Sequence, residues 1–321
     1  MPESFTVAAS PHIRSRLDTG AAMRLVCIAL APAALASVYI FGLNALLAIV
    51  VSVVTCVVTE LLCNLVLRKE VTVTDGSAAV TGILLAFTLP PTTPLWMVVI
   101  GGFLAIFVAK QLFGGLGYNI FNPALAARAI LLSSWPVAMT TWVSPVKSLL
   151  AVDAVTSATP LGIIKEAPSA GGVAHSAYSY LDMFLGTIPG SLGETCKVAL
   201  LLGAAVLFVF KIIDWRIPFT FIGSAAVLSV LLGRDPLAAV LSGGLILGAF
   251  FMATDLVTSP TTKGGKLLFG TGCGVLTSLI RSYGGFPEGV CYSILFMNCL
   301  TPLIDKYVQP RPFGTKRAWS R

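Results

Sequence analysis

The fold is decided by residues 44–68, Asn-Ala-Leu-Leu-Ala-Ile-Val-Val-Ser-Val-Val-Thr-Cys-Val-Val-Thr-Glu-Leu-Leu-Cys-Asn-Leu-Val-Leu-Arg. About 20 predominantly apolar residues suffice for a helix to cross the hydrocarbon layer of a bilayer. The run meets that length, and it has many companions. The chain of 321 residues is 56% hydrophobic and only 11% charged, with a mean hydropathy of +0.90. A soluble domain of this size carries roughly 25% charged residues. The sequence therefore reads as an all-α integral membrane protein, because in lipid every backbone N–H and C=O needs an internal partner.

Working outward from 44–68, ten spans are expected. The first five are 24–42, 44–68, 77–89, 95–113 and 122–135; the second five are 195–213, 217–233, 236–255, 266–282 and 288–305. Several are short or broken. The third ends at Leu89-Pro90-Pro91 and the fifth starts at Asn122-Pro123. Short, interrupted helices are common in folds built from inverted repeats, where they line the central site. Five spans on each side of a polar insert suggest such a duplication, with the odd number making the two copies inverted. No internal sequence identity supports it. The organisation is then a cytoplasmic N-terminal segment, 1–23; a first five-helix half, 24–135; an extracytoplasmic loop, 136–194; a second half, 195–305; and a cytoplasmic tail, 306–321. Residues 1–23 hold Arg14 and Arg16 without an apolar run, so no cleavable signal is expected.

Orientation follows from the excess of Lys and Arg on cytoplasmic loops. With both termini in the cytoplasm, fifteen basic residues fall on that side. Five (Lys147, Lys165, Lys197, Arg234 and Arg281) fall outside, and Arg128 lies within a span. The net charge of +7 thus reads as topology and not as nucleic-acid affinity. Cys27, Cys56, Cys63, Cys196, Cys273, Cys291 and Cys299 show no metal or cluster spacing. They read as small apolar packing groups. His12 and His175 are too far apart to form a metal site or a triad. Gly114-Gly115-Leu116-Gly117 lacks the dinucleotide-binding spacing and reads as a sharp turn or a close helix approach.

The insert carries Asp153-Ala154-Val155-Thr156-Ser157-Ala158-Thr159. This resembles the motif at which a flavin transferase joins FMN to a threonine through a phosphoester. Thr159 would supply the hydroxyl on an exposed, flexible segment. Ala158 would let the transferase approach, and Asp153 and Thr156 would be read by it or order the loop. Pro160 stiffens the exit. The plainer reading is an ordinary Ser/Thr-rich loop.

The whole chain resembles a known family, the D subunit of the Rnf complex, an ion-pumping ferredoxin:NAD oxidoreductase. That subunit is homologous to the B subunit of the sodium-pumping NADH:quinone oxidoreductase. The resemblance is carried by Ser10-Pro11-His12, by Asp75-Gly76-Ser77 with Thr81-Gly82, and by Asn119 with Phe121-Asn122-Pro123. In the second half it is carried by Phe251-Met252-Ala253-Thr254-Asp255 with Thr258-Ser259-Pro260, and by Pro287-Glu288-Gly289 with Met297-Asn298. The long N-terminal extension usual in the quinone enzyme is absent, and Ser157 stands where the acceptor motif often has Gly.

The resemblance implies covalent FMN on Thr159 and a second, non-covalent riboflavin among the spans. It implies electron relay in the cytoplasmic membrane of a bacterium or archaeon, coupled to Na⁺ or H⁺ movement, with no turnover by the isolated chain. The implied partners are the A, B, C, E and G subunits of the Rnf complex, above all the G subunit with its own covalent FMN. A flavin transferase and membrane lipids complete the set; nucleic acid is not among the partners.

Flavin-contact candidates are Asn119, Asn122, Arg128 and Asp255, together with Asp153, Thr156, Ser157, Ala158 and Thr159 of the motif. Glu60, inside the second span, is either an ion-coupling carboxyl or a group reaching the interface. Arg128 needs an anionic partner, a flavin or an acid such as Asp75. Asp255 either orders the turn at Thr258-Ser259-Pro260 or binds a flavin hydroxyl or ion. The rival reading is an inverted-repeat solute transporter or channel, since Asn122-Pro123-Ala124 resembles half of the water-channel signature. A quinone-reducing sibling of the Rnf protein predicts the same flavin.

Overall fold

The computed structural model describes residues 18–69, 72–145, 156–166, 178–285 and 288–310. Asp153, His12 and His175 lie outside the described residues. Helices α1 (Thr19–Phe41) and α2 (Leu43–Val66) open the chain. Asp18 caps α1, its carboxylate accepting from the Thr19 amide at 2.7 Å. The two helices are divided at Gly42, whose φ of 76° is a conformation that L side chains rarely adopt.

α2 shows why this is a membrane fold. Its buried face carries small and polar residues: Ala45, Ala48, Ser52, Cys56, Thr59, Glu60 and Asn64. Its outer face exposes Leu46, Val50, Val54, Val58, Leu61 and Leu65. A soluble helix buries its apolar stripe. Here the stripe faces outward at helical spacing and the polar groups face in, as suits a helix whose surroundings are lipid.

α3 (Ser77–Thr88) is short and almost wholly buried. It packs on α2 so closely that a Cβ at Gly82 would sit 2.7 Å from the Val53 Cα. The Ser52 hydroxyl donates to the Gly82 carbonyl at 2.7 Å. α4 begins as Leu95–Phe103 and continues as a π-helix, Leu104–Gln111. A π turn re-aims the side chains beyond it and is frequent at functional sites. Three left-handed glycines, Gly114, Gly115 and Gly117, then turn the chain towards α5 (Pro123–Ser134), which Asn122 caps.

Short helices α6 (Pro136–Thr140), α7 (Pro160–Glu166) and α8 (Tyr180–Leu185) follow. α9 (Lys197–Val209) packs on α1, and α10 (Arg216–Leu231) packs along α13 (Lys263–Tyr283). Between these come α11 (Pro236–Leu241) and α12, which runs Leu245–Leu247 and continues as a π-helix, Gly248–Met252. α14 (Val290–Tyr307) closes the chain.

Each segment marked out as a span carries helix, but their lengths differ. Among the described residues, only α1 and α2 are long and apolar enough to cross a membrane; α3, α4, α5, α9 and α10 are shorter apolar helices. The segment 236–255 is divided at Ser242–Gly244, where Gly243 has φ of 65°.

Candidate functional site

Three polar assemblies are built into this frame. The first lies at the end where α2, α4, α9 and α12 deliver their loops. A cleft has apolar walls, including Met23, Leu84, Phe250 and Phe251, and a polar set including Ser77, Lys110, Asn119, Asn122 and Asp255. Asn122 caps α5, its Oδ1 accepting from Ala124 N at 3.1 Å and Leu125 N at 3.4 Å; its Nδ2 donates to the Met252 carbonyl at 3.3 Å. Asn119 Nδ2 donates to the Phe121 carbonyl at 3.1 Å. Its Oδ1 is buried without a partner among the described residues. Asp255 accepts from Val257 N at 3.4 Å and from Thr258 Oγ1 at 3.2 Å. It orders the turn before Pro260 and lines the cleft as well.

Behind the cleft lies a buried ion pair. Lys110, in the π turn of α4, donates to Glu60 Oε1 at 2.7 Å and to Ser77 Oγ at 2.6 Å. Thr72 Oγ1 and Gln111 Nε2 donate to the same Glu60 oxygen, at 3.3 and 3.4 Å. Glu60 Oε2 has no partner among the described residues. Glu60 is 0% and Lys110 1% exposed. So Glu60 does not reach the interface, and Lys110, counted with the cytoplasmic-side charges, is turned inward.

The second assembly lies at the opposite end. Arg128 donates to the Thr88 carbonyl, the last residue of α3, at 2.5 Å, and forms an ion pair with Glu288. Its acid is therefore Glu288 and not Asp75, which accepts from Ser77 N and Oγ at 2.7 and 2.6 Å. Arg128, Trp142, Glu288 and Tyr292 line a smaller cavity. Arg128 thus stands apart from Asn119, Asn122 and Asp255, which share the first cleft.

The third is the described part of the acceptor motif. Thr156 forms an isolated antiparallel bridge with Val143. Ser157 N donates to the Trp142 carbonyl at 3.0 Å, and the Ser157 and Ser144 hydroxyls lie 2.8 Å apart. These bonds tie the motif to the wall of the second cavity. Ala158 is exposed, and its carbonyl accepts from Tyr178 Oη at 3.3 Å. Thr159, expected to be exposed, is only 9% exposed. The reason is local: its Oγ1 accepts from Gly162 N at 3.1 Å, capping α7, with Pro160 at the first helical position. Threonine is a good N-cap, and that use draws the hydroxyl inward.

Sequence reasoning missed the depth of several charges. Lys197 and Arg281, read as outer-loop charges, are 1% and 6% exposed. The signal for them is weak, since each sits within a turn of a helix end, where counting by loops treats a cation as solvated.

An outward apolar stripe, cations buried in the interior and clefts at both ends define a membrane-associated helical protein with a charged interior. The chain belongs to the NQR2, RnfD, RnfE family, which it matches over residues 6–314. It is 50% identical to the D subunit of the proton-translocating ferredoxin:NAD(+) oxidoreductase complex of Clostridium ljungdahlii, covering 98% of this chain and 97% of that one. It is 46% identical to the D subunit of the Na(+)-translocating ferredoxin:NAD(+) oxidoreductase complex of Acetobacterium woodii, covering 98% and 96%. It is 37% identical to the D subunit of the ion-translocating oxidoreductase complex of Aliivibrio salmonicida, covering 98% and 99%.

Proposed function

We propose that this chain is the D subunit of an Rnf-type complex and relays electrons through flavins while the complex couples ferredoxin:NAD oxidoreduction to Na⁺ or H⁺ movement. The near full-length 50% identity to a relative of that name carries the reading. The proposed topology has ten spans in two inverted halves. Both termini are cytoplasmic, and Thr159 is on the outer side, facing a G subunit that carries its own FMN.

The residues present fit two flavins. The first cleft offers apolar walls and, at Asn119 Oδ1, a buried acceptor without a donor among the described residues. Riboflavin, a flat ring with ribityl hydroxyls and a ring N–H, suits that set. Asn119, Asn122 and Asp255 would hold its polar edges, and Phe250 and Phe251 would exclude water from the ring. At the other end, Thr159 offers the acceptor hydroxyl, and the cavity of Arg128, Trp142 and Tyr292 adjoins the motif through Ser157 and Trp142. There Arg128 would place a positive charge beside a reduced, anionic ring, held in register by Glu288 and the Thr88 carbonyl. Bound flavin supplies the one- and two-electron chemistry; the chain supplies placement and electrostatics. For a transferase to reach Thr159, the Gly162 hydrogen bond must open first.

The test is flavin fluorescence of the denatured chain, from a complex made with its flavin transferase, beside Thr159→Ala. A fluorescent wild-type band, heavier by one FMN less a water, and a dark mutant are expected. A dark, unmodified wild type with a transferase active on a control substrate would overturn the covalent flavin and favour a non-redox transporter.

A further inference from the structure

Lys165, Lys197, Arg234 and Arg281 are the described members of the five cations read as lying on the outer side. Cations are depleted on that side of a membrane protein, so four together call for a reason. Among the described residues none of them forms an ion pair. Each donates instead to backbone carbonyls: Lys165 Nζ to Gly284, Lys197 Nζ to Glu194 and Gly243, Arg234 Nη1 to Arg281, and Arg281 Nη1 and Nη2 to Ala239 and Ser242. A carbonyl satisfies a cation's donors but does not cancel its charge.

The four converge against α7, the helix that Thr159 caps. Lys165 lies on α7 itself, and its acceptor Gly284 closes α13, three residues after Arg281. Leu161, in the first turn of α7, places its Cδ1 2.6 Å from where a Cβ at Gly243 would stand, and Arg281 Nη2 lies 3.4 Å from the same point. Lys197 donates to the carbonyl of that glycine at 3.2 Å. The neighbouring carboxylates do not balance these charges. Glu288 is paired with Arg128. Asp235, beside Arg234, caps α11 and accepts from Tyr180 Oη. Glu194 Oε2 lies 2.9 Å from where a Cβ at Gly244 would be. One carboxylate is thus left to two buried cations, Lys197 and Arg281, and a buried cation without an anion is costly.

A second observation points to a ligand. Arg281 Nε is buried without a partner among the described residues, and so are Thr277 Oγ1, one turn before it, and Ser191 Oγ and Thr195 Oγ1, which flank Glu194 in sequence. Lys197 has a third N–H beyond the two already placed. Unplaced buried donors beside unbalanced cations suit an anion with several acceptor oxygens. A phosphodiester has two free oxygens sharing one negative charge, and a guanidinium fork matches that geometry. A phospholipid headgroup and FMN esterified to Thr159 both carry such a group. The packing of Leu161 against Gly243 favours the FMN on Thr159.

We propose that Lys197 and Arg281 seat the phosphodiester that joins FMN to Thr159, with Lys165 and Arg234 adding positive potential around it. This rests on the flavin reading. The single negative charge of the diester brings the set of Lys197, Arg281 and Glu194 to neutrality. The seat fixes where the tether ends, and so where the ring can lie, without touching the ring.

The test is hydrogen exchange, read by mass spectrometry on peptides from α7, in the complex made with its flavin transferase. Arg281→Gln is compared in two backgrounds, the wild-type chain and Thr159→Ala, so that loss of the cap cancels. With flavin attached, Arg281→Gln is expected to speed α7 exchange about tenfold, the effect of losing one hydrogen bond to a charged group. Lys197→Gln is expected to behave alike, and Arg281→Lys to speed exchange less. In the Thr159→Ala background Arg281→Gln is expected to leave exchange unchanged or slow it, since it then removes an unbalanced cation. Equal speeding in both backgrounds overturns the seat; if that speeding also vanishes in lipid-free amphipol, the phosphodiester belongs to a lipid. No speeding in either background overturns it as well. Should Arg281→Gln not assemble, Lys165→Gln, at a half-buried position on α7, reads the same difference between backgrounds. A wild-type chain that is dark on a denaturing gel defeats the flavin reading, and the seat with it. A fluorescent chain with no difference between backgrounds defeats the seat alone.

Discussion

Lys110 Nζ lies 2.7 Å from Glu60 Oε1, and both side chains are almost completely removed from solvent. A buried ion pair of this kind is weak evidence of net stability, but losing one partner leaves an uncompensated charge. Lys110→Met is expected to destabilise the protein by about 3–5 kcal/mol. Glu60→Gln with Lys110→Met is expected to be much less damaging than Lys110→Met alone. Denaturation midpoints of the detergent-solubilised variants check this. A double variant at least as unstable as the single would sink it.

The close approach of α2 and α3 makes a second prediction. A Cβ at Gly82 would sit 2.7 Å from the Val53 Cα, and backbone cannot swing aside as a flexible side chain does. Gly82→Ala is expected to cost about 1–3 kcal/mol, the usual range for overpacking. Gly223, where nothing stands within 4 Å of an added Cβ, supplies the control: Gly223→Ala is expected to be neutral or slightly stabilising in the same assay.

Thr159 has a structural role that can be separated from any modification. In protein made without a transferase, Thr159→Ala is expected to cost about 1 kcal/mol of local stability by removing the α7 cap, and Thr159→Ser to cost less. Hydrogen exchange at the Gly162 amide reads this directly, because that N–H donates to Thr159 Oγ1. Equal exchange in all three proteins would show that the cap does not form.

Asp214, paired with Arg216 and Lys266, gives a pH dependence with a definite sign. Partial burial opposes its charge, but hydrogen bonds from Arg216 N and side chain and from Lys266 prevail, and its carboxyl is held below the usual range. A depressed carboxylate stabilises the fold above the unfolded value, about 3.9, and that contribution is lost as pH falls through the lower folded value. Asp214→Asn is therefore expected to be less stable than wild type at neutral pH, with the gap closing only under strong acid. Thermal midpoints across that range check it; a gap that widens on acidification would contradict the assignment.

The legibility of the chain divides along physical lines. Helices whose outer face meets lipid are plain in the sequence, since Leu46, Val50, Val54 and Val58 make an apolar run whichever way the helix turns. The breaks at Pro90, Gly114–Gly117 and Pro123 are also visible, because Gly and Pro act locally. Charges near helix ends mislead. Lys110 looks solvated until the π turn of α4 rotates it onto Glu60, and Lys197 and Arg281 look solvated until α11 and the Ser242–Gly244 break supply carbonyls for them. Asn119, Asn122 and Asp255 stand out for their places beside broken helices, and the breaks do bring them to one cleft. Arg128 sits along α5, six residues from its cap, far enough to reach the opposite end.

That separation permits one more experiment. Asn119 Oδ1, in the first cleft, is a buried acceptor without a donor among the described residues. Replacing the residue by leucine keeps the branched shape and removes the acceptor, together with the Nδ2 bond to the Phe121 carbonyl. If the cleft holds non-covalent flavin, Asn119→Leu is expected to weaken that binding by one hydrogen bond, about 1 kcal/mol or several-fold in affinity, while covalent flavin on Thr159 stays at wild-type level. Thr140 lines the other cavity, so Thr140→Val is expected to leave the non-covalent fraction unchanged. Acid extraction of the folded complex, followed by separate counting of released and protein-bound flavin, reads both at once. Equal loss of released flavin in the two variants would move the non-covalent site out of the Asn119 cleft.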